Sequence, residues 1–149
     1  MTDLRIERVD GDAALVDWQS VHDAIIPTAV LTLAEVSERA RRNRLSVAYL
    51  DDVLVGCFTV RPPAADASVA TVIARVLPAH RGRGFGTRLY THGLALARGL
   101  GAEVVETCVL ESNPEGLRFA LSQGFVETER YVLPGGTVPF IDLRLARGR

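Results

Sequence analysis

The sequence predicts an α/β fold, of the α+β mixed-sheet kind, with helices covering both faces of the sheet. Three observations lead there. Apolar residues recur with period two, or in short β-rich runs, in seven segments and at spacings of three and four in four others. These fall in the order β α α β β β α β α β β, which a single mixed sheet with flanking helices accommodates. The chain has 149 residues, 48% hydrophobic and 23% charged, the make-up of one globular domain over 1–149 and not of two domains or a disordered segment.

Each element has a local cause. LRIERV, Leu4 to Val9, alternates apolar and charged side chains as a half-buried strand does. After Gly11, the residues Ala14, Trp18, Val21 and Ile25 share one helical face, and Pro27 stops that helix. Thr32 followed by Glu35 is a reciprocal capping pair that opens a second helix toward Asn43. LSVAYL and VLVGCFTV flank Asp51-Asp52, a connection short enough for an antiparallel hairpin. Pro62 and Pro63 end the second run, and Ala67 to Leu77 supplies a longer strand that stops at Pro78. From Gly84 onward, Phe85, Leu89, Gly93, Leu96 and Leu100 keep helical spacing, with Gly99 or Gly101 to close the helix. Glu103 to Leu110 reads as a buried strand. Asn113-Pro114-Glu115 then sets a helix start that Gly124 terminates. Two strands finish the chain, Phe125 to Leu133 and Val138 to Leu145, joined across Pro134-Gly135-Gly136.

Composition excludes several functions. Seventeen basic residues, all arginine, stand against eighteen acidic ones, so no global positive field exists to draw nucleic acid or anionic lipid. No apolar stretch is long enough to span a membrane, and MTDLRIERVDGD lacks the apolar run of a signal peptide. With two cysteines, Cys57 and Cys108, a reducing cytoplasmic location is expected. Cysteine and histidine form no cluster at ligand spacing, so no metal is expected.

The chemistry concentrates in VLPAHRGRGFGTRL, where a strand ends at a proline and a glycine-rich turn opens an apolar helix. Glycines 82, 84 and 86 remove side chains where backbone must approach a ligand. The amides that follow lack intrahelical partners and carry the positive end of the helix dipole, a cradle for a diphosphate. A plain tight turn explains the same glycines, and an Arg-Gly nucleic-acid segment is a third reading that the flanking regular elements disfavour. The turn is no Walker loop, because no Gly-Lys-Ser/Thr follows, and its glycine spacing departs from the dinucleotide fingerprint.

Arg81, Gly84 and Gly86 fill the fixed positions of Arg/Gln-x-x-Gly-x-Gly/Ala, and the segment resembles the acyl-CoA-binding signature of the GNAT superfamily of N-acetyltransferases. Asn113 through Gly124-Phe125 resembles that family's second motif, and with the element order the likeness covers nearly the whole chain. The resemblance implies an acetyl-CoA-dependent transfer of an acetyl group to a primary amine of a small molecule or peptide. It implies a sheet splayed between its fourth and fifth strands, with the pantetheine arm pairing with backbone at Ala74 to Val76 and the thioester held at Val76. Arg81, Gly82, Arg83, Gly84, Phe85, Gly86 and Thr87 would hold the diphosphate, and Asn113 the arm from the other side. Terminal strands apolar enough to meet a second copy leave room for a homodimer.

One departure matters for catalysis. The family's general-acid tyrosine falls on Ala120; Tyr131 on the next strand is a candidate substitute hydroxyl, although packing is the more common role of a half-buried sheet tyrosine. The fourth strand carries no acid from Val69 to Val76, so the candidate bases are Glu106, which shares a face with Cys108, and Glu111 in the loop beyond. Both are equally the solvated charges such places ordinarily carry. Cys108 suits a small apolar role, and His80 the rim of the phosphate turn. Acceptor selectivity is expected from Trp18, His22, Asp23, Glu35, Glu38, Glu127 and Glu129, whose acids suit a cationic amine. A non-catalytic acyl-CoA-binding or sensing module is the alternative, encouraged by Ala120 and the acid-free fourth strand.

Overall fold

The computed structural model describes residues 4–65 and 67–145. In chain order the elements are β1 (Leu4–Arg8), α1 (Asp12–Ile25), α2 (Leu33–Arg42), β2 (Arg44–Leu50), β3 (Val53–Arg61), β4 (Val69–Val76), α3 (Phe85–Gly99), β5 (Val104–Leu110), α4 (Pro114–Ser122), β6 (Phe125–Tyr131) and β7 (Phe140–Leu145). Short 3-10 turns follow two of the helix-stopping or strand-stopping prolines, at Pro27–Ala29 and Pro78–His80. The two closing strands stop short of their expected limits. Val132 and Leu133 are exposed, and the Gly136 N–H donates to the Leu133 carbonyl at 2.9 Å, which turns the chain instead of extending the hairpin.

All seven strands form one sheet in the order β1-β2-β3-β4-β5-β7-β6. Every pairing is antiparallel except β4 with β5. Period-two alternation then sorts the side chains. Phe58, Val60, Val72, Val105, Ile141 and Leu143 pack with Leu89 and Tyr90 of α3 on one face. Cys57, Leu45 and Val47 pack with Trp18, Val21 and Val36 of α1 and α2 on the other.

The parallel pair is short. Register runs from Val69 opposite Val104 to Thr71 opposite Glu106, and there it ends, although both strands continue. Beyond that point the buried Tyr90 stands between them. Its hydroxyl lies 2.8 Å from the Thr107 hydroxyl of β5 and also takes a hydrogen bond from the Ala74 backbone N–H of β4. Polar groups at the parting are thereby satisfied by a helix side chain, as buried polar groups must be.

Candidate active site

The turn before α3 is built by backbone conformation. Gly84, at φ 82°, is the N-cap residue of α3 and offers no side chain to the first-turn amides. By contrast, Thr32 and Asn113 cap α2 and α4 with their side chains. The uncapped first turn, Phe85 to Thr87, lines a cavity of about 420 Å³ between the end of β4 and the starts of α3 and α4. Gly86 lets α4 approach, since a Cβ there would sit 3.0 Å from the Phe119 ring.

Arginines and polar side chains surround this cavity unevenly. Arg81 donates from Nε to the Val76 carbonyl at 2.9 Å and reaches Glu115 at 3.7 Å, so it ties the end of β4 to α4. The Arg83 guanidinium stacks 5.0 Å from the Phe85 ring centroid. Asn113 Oδ1 accepts the Gly116 N–H at 3.2 Å while Asn113 also lines the cavity. His80 lines it too, and its buried Nδ1 has no partner.

A narrow slot opens from this cavity where β4 and β5 part, bordered by Ala74, Tyr90, Cys108 and Phe140. On the α1 and α2 face it meets a broader cavity of about 600 Å³, which shares Cys108 and Phe140 with the slot. Two chambers on opposite faces of the sheet are thus joined through the parted strands.

The broader chamber holds proton-carrying groups. The Tyr131 hydroxyl donates to Asp142 Oδ1 at 3.0 Å and stands 4.0 Å from Cys108 Sγ. Burial raises the Tyr131 pKa, and Cys108 and Asp142 raise it further, so the phenol keeps its proton at neutral pH. Burial also pushes the Cys108 thiol up to about 11, which leaves it protonated and poorly nucleophilic. Glu106 receives two hydrogen bonds from Arg144, at 2.8 and 3.1 Å. His22 is buried against Trp18, with ring centroids 5.3 Å apart, and its Nδ1 is 3.0 Å from Asp23 Oδ1. Burial lowers the His22 pKa, the Asp23 bond opposes that, and Arg75 and Arg39 lower it further.

The residues singled out in the sequence separate into several places. Val76, Arg81, Gly82, Gly84, Phe85, Gly86, Thr87 and Asn113 border the first cavity, whereas Arg83 lies beside it on Phe85. Glu106 and Tyr131 border the broader chamber, as do His22 and Glu35. Glu111 borders neither and pairs with Arg130 at 2.9 Å. Glu38 is held by Arg41 and Arg42, and Glu127 by Arg130. Ala120 is fully buried in the same core cluster as Tyr90 and presents no hydroxyl. Sequence reasoning missed Arg39, Arg61, Arg75 and Asp142, all of which line the broader chamber. Strand alternation was the signal for three of them: Arg75 is paired with Cys57, Arg61 with Thr71 and Asp142 with Cys108.

Among the described residues, no group of three or more His, Cys, Asp or Glu is placed to hold a metal, and no helix is long and apolar enough to cross a membrane. No curated protein sequence matches the chain. Solved structures match it closely in shape at low identity. A Salmonella typhimurium protein, yncA, solved with its cofactor acetyl-CoA, superposes with TM-score 0.74 at 19% identity, over 99% of this chain and 95% of that one. A Bacillus subtilis acetyltransferase in complex with CoA gives 0.73 at 18%, over 96% and 98%. Ribosomal-protein-alanine N-acetyltransferase from Brucella melitensis gives 0.72 at 19%, over 94% and 98%. The family model described as acetyltransferase (GNAT) family matches residues 13–125, most of the chain, including β4, β5 and the turn that opens α3. By that match the chain belongs to the GNAT acetyltransferase family, enzymes that draw their acetyl group from acetyl-CoA.

Proposed function

We propose that this protein transfers the acetyl group of acetyl-CoA to a primary amine bound in the broader chamber, by direct attack of the amine on the thioester. The observation that carries this reading is the slot at the parting of β4 and β5, which joins a cavity of about 420 Å³ on one face to a chamber of about 600 Å³ on the other. The residues suit the cosubstrate. The uncapped amides of residues 82–87 offer donors and a positive dipole end to a diphosphate, with Arg81 and Arg83 adding charge. The slot's mixed apolar and polar walls suit a pantetheine arm, which has both methylene and amide groups, with Asn113 at its edge. When bound, acetyl-CoA supplies the activated acetyl thioester.

The chain's own groups manage the protons. Glu106, which borders the chamber, is assigned proton removal from the amine in preference to Glu111, which borders neither cavity. The backbone N–H of Val76, at the end of β4, is the donor for charge developing on the carbonyl oxygen. Tyr131 retains its proton and is assigned its delivery to the departing sulfur. A thiolate of pKa about 8.5 leaves more readily than an amine of about 10.4, so this step needs only modest help.

A turnover assay decides the reading. Purified protein is mixed with acetyl-CoA and a panel of amines while free CoA thiol is followed. Amine-dependent release is expected. Acetyl-CoA binding with no release across the panel would instead assign an acyl-CoA-binding or sensing module, the reading that the hydroxyl-free Ala120 favours.

A further inference from the structure

The acceptor chamber is electrically two-sided. One wall carries Arg39 of α2, Arg61 at the end of β3 and Arg75 of β4. Sheet register explains the convergence: Arg61 is opposite Thr71 and Arg75 opposite Cys57, so both side chains share the face on which α2 lies. None of the three is in an ion pair among the described residues. Elsewhere, Arg41, Arg42, Arg130 and Arg144 each find a carboxylate within 3.0 Å. The three are also close enough to oppose one another, since Arg61 and Arg75 both disfavour the charge on half-buried Arg39.

The strands beyond β4 bring acids to the same chamber. Glu106 of β5 and Asp142 of β7 border the chamber, the first held by Arg144 and the second by the Tyr131 hydroxyl. Glu35 is the remaining acid of the lining, and its Oε1 is occupied with the Thr32 N–H at 2.9 Å. Three forked guanidinium groups without an anion beside a half-buried cavity are a receptor for a carboxylate or phosphorus oxyanion. The volume of about 600 Å³ is of ligand size.

Resting on the acetyl-transfer reading above, we propose that the acceptor is a zwitterion, a small amine bearing a carboxylate, phosphonate or phosphinate group. Its acid group sits chiefly on Arg39 and Arg61, which stand away from the slot that Arg75 borders, and its amino group faces Glu106 and Asp142, the sheet neighbours of the slot-lining Cys108. This orientation turns the amino group toward the group assigned to deprotonate it. A lysine side chain or a protein N-terminus carries no acid group at that distance and leaves the arginine wall unanswered.

The test compares the proteinogenic amino acids and aminoalkylphosphonates with their uncharged amides or esters, which keep the amine and lose the anion. The acids are expected to exceed their neutral counterparts by about tenfold to a hundredfold in kcat/KM, the worth of a charged hydrogen bond. Preference between carboxylates and phosphonates identifies the oxyanion. Arg61→Gln, at an exposed position outside any ion pair, is expected to erase most of that preference through KM for the amine without altering CoA affinity, and Arg61→Lys to restore part of it. Equal turnover of acids and neutral analogues, or an Arg61→Gln variant that keeps the preference, overturns the proposal. If no amine is acetylated, the same compounds are titrated calorimetrically into the protein with and without CoA. Zwitterion binding that weakens in Arg61→Gln keeps this inference and sinks the transfer reading, whereas CoA binding with no zwitterion binding sinks this inference.

Discussion

Tyr131 and Glu106 carry the assigned proton transfers, and each makes a separate prediction. Tyr131→Phe removes the phenol that Asp142 orients, and kcat is expected to fall on the order of a hundredfold, the low end for an acid, because a thiolate departs readily. Glu106→Gln is expected to lower kcat similarly, with the loss shrinking as pH rises and more of the amine is already neutral; steady-state pH profiles check both. His22 contributes to the pH dependence of stability. Its pKa is lowered from an ordinary value of 6.5, so the unfolded chain binds this proton more readily than the folded one. The contribution is complete above 6.5 and is lost as pH falls below it, with a slope of at most about 1.4 kcal/mol per pH unit. Denaturant unfolding of wild type and His22→Gln from pH 7.5 downward should show the variant with the flatter profile. At this scale the glycine turn before α3 was legible because Arg81, Gly84 and Gly86 are neighbours along the chain. Arg39, Arg61 and Arg75 come from three elements, and only sheet register and the seating of α2 bring them to one wall.

Among the elements, α3 does most to define the site, through its two ends of influence: the bare first turn and the buried Tyr90. Gly84→Ala puts a side chain at φ 82°, where its Cβ would meet nothing within 4 Å, so the expected penalty is backbone strain without crowding, about 1–2 kcal/mol. Weaker CoA binding should accompany it, measured by calorimetry. Tyr90→Phe leaves the Thr107 hydroxyl and the Ala74 N–H without their shared partner, and unfolding is expected to become easier by about 1–3 kcal/mol. The helices were legible from local chemistry: the Thr32 and Glu35 capping box and the Asn113 cap both form as their spacing requires. Strand limits were less so. Val132 and Leu133 read as strand by type, yet the Gly135-Gly136 turn draws them out of the ladder. Nothing in β4 or β5 read alone says that their pairing stops after three residues, because the interruption comes from a tyrosine on a helix between them in sequence.

For the molecule as a whole, the sheet acts as a partition. In the proposed reaction one face, with α3 and α4, takes the phosphate end and the other, with α1 and α2, takes the acceptor, and the thin place between β4 and β5 joins them. Amide exchange should divide along the same line. Adding CoA is expected to slow exchange at residues 82–87, while the Ala74 amide, already bonded to Tyr90, should be slow from the outset. A doorway propped by a phenol from below requires no zipper to be undone when a guest arrives, so entry of the arm should proceed at the tempo of encounter and threading, and its rate should respond little to conditions that soften the sheet.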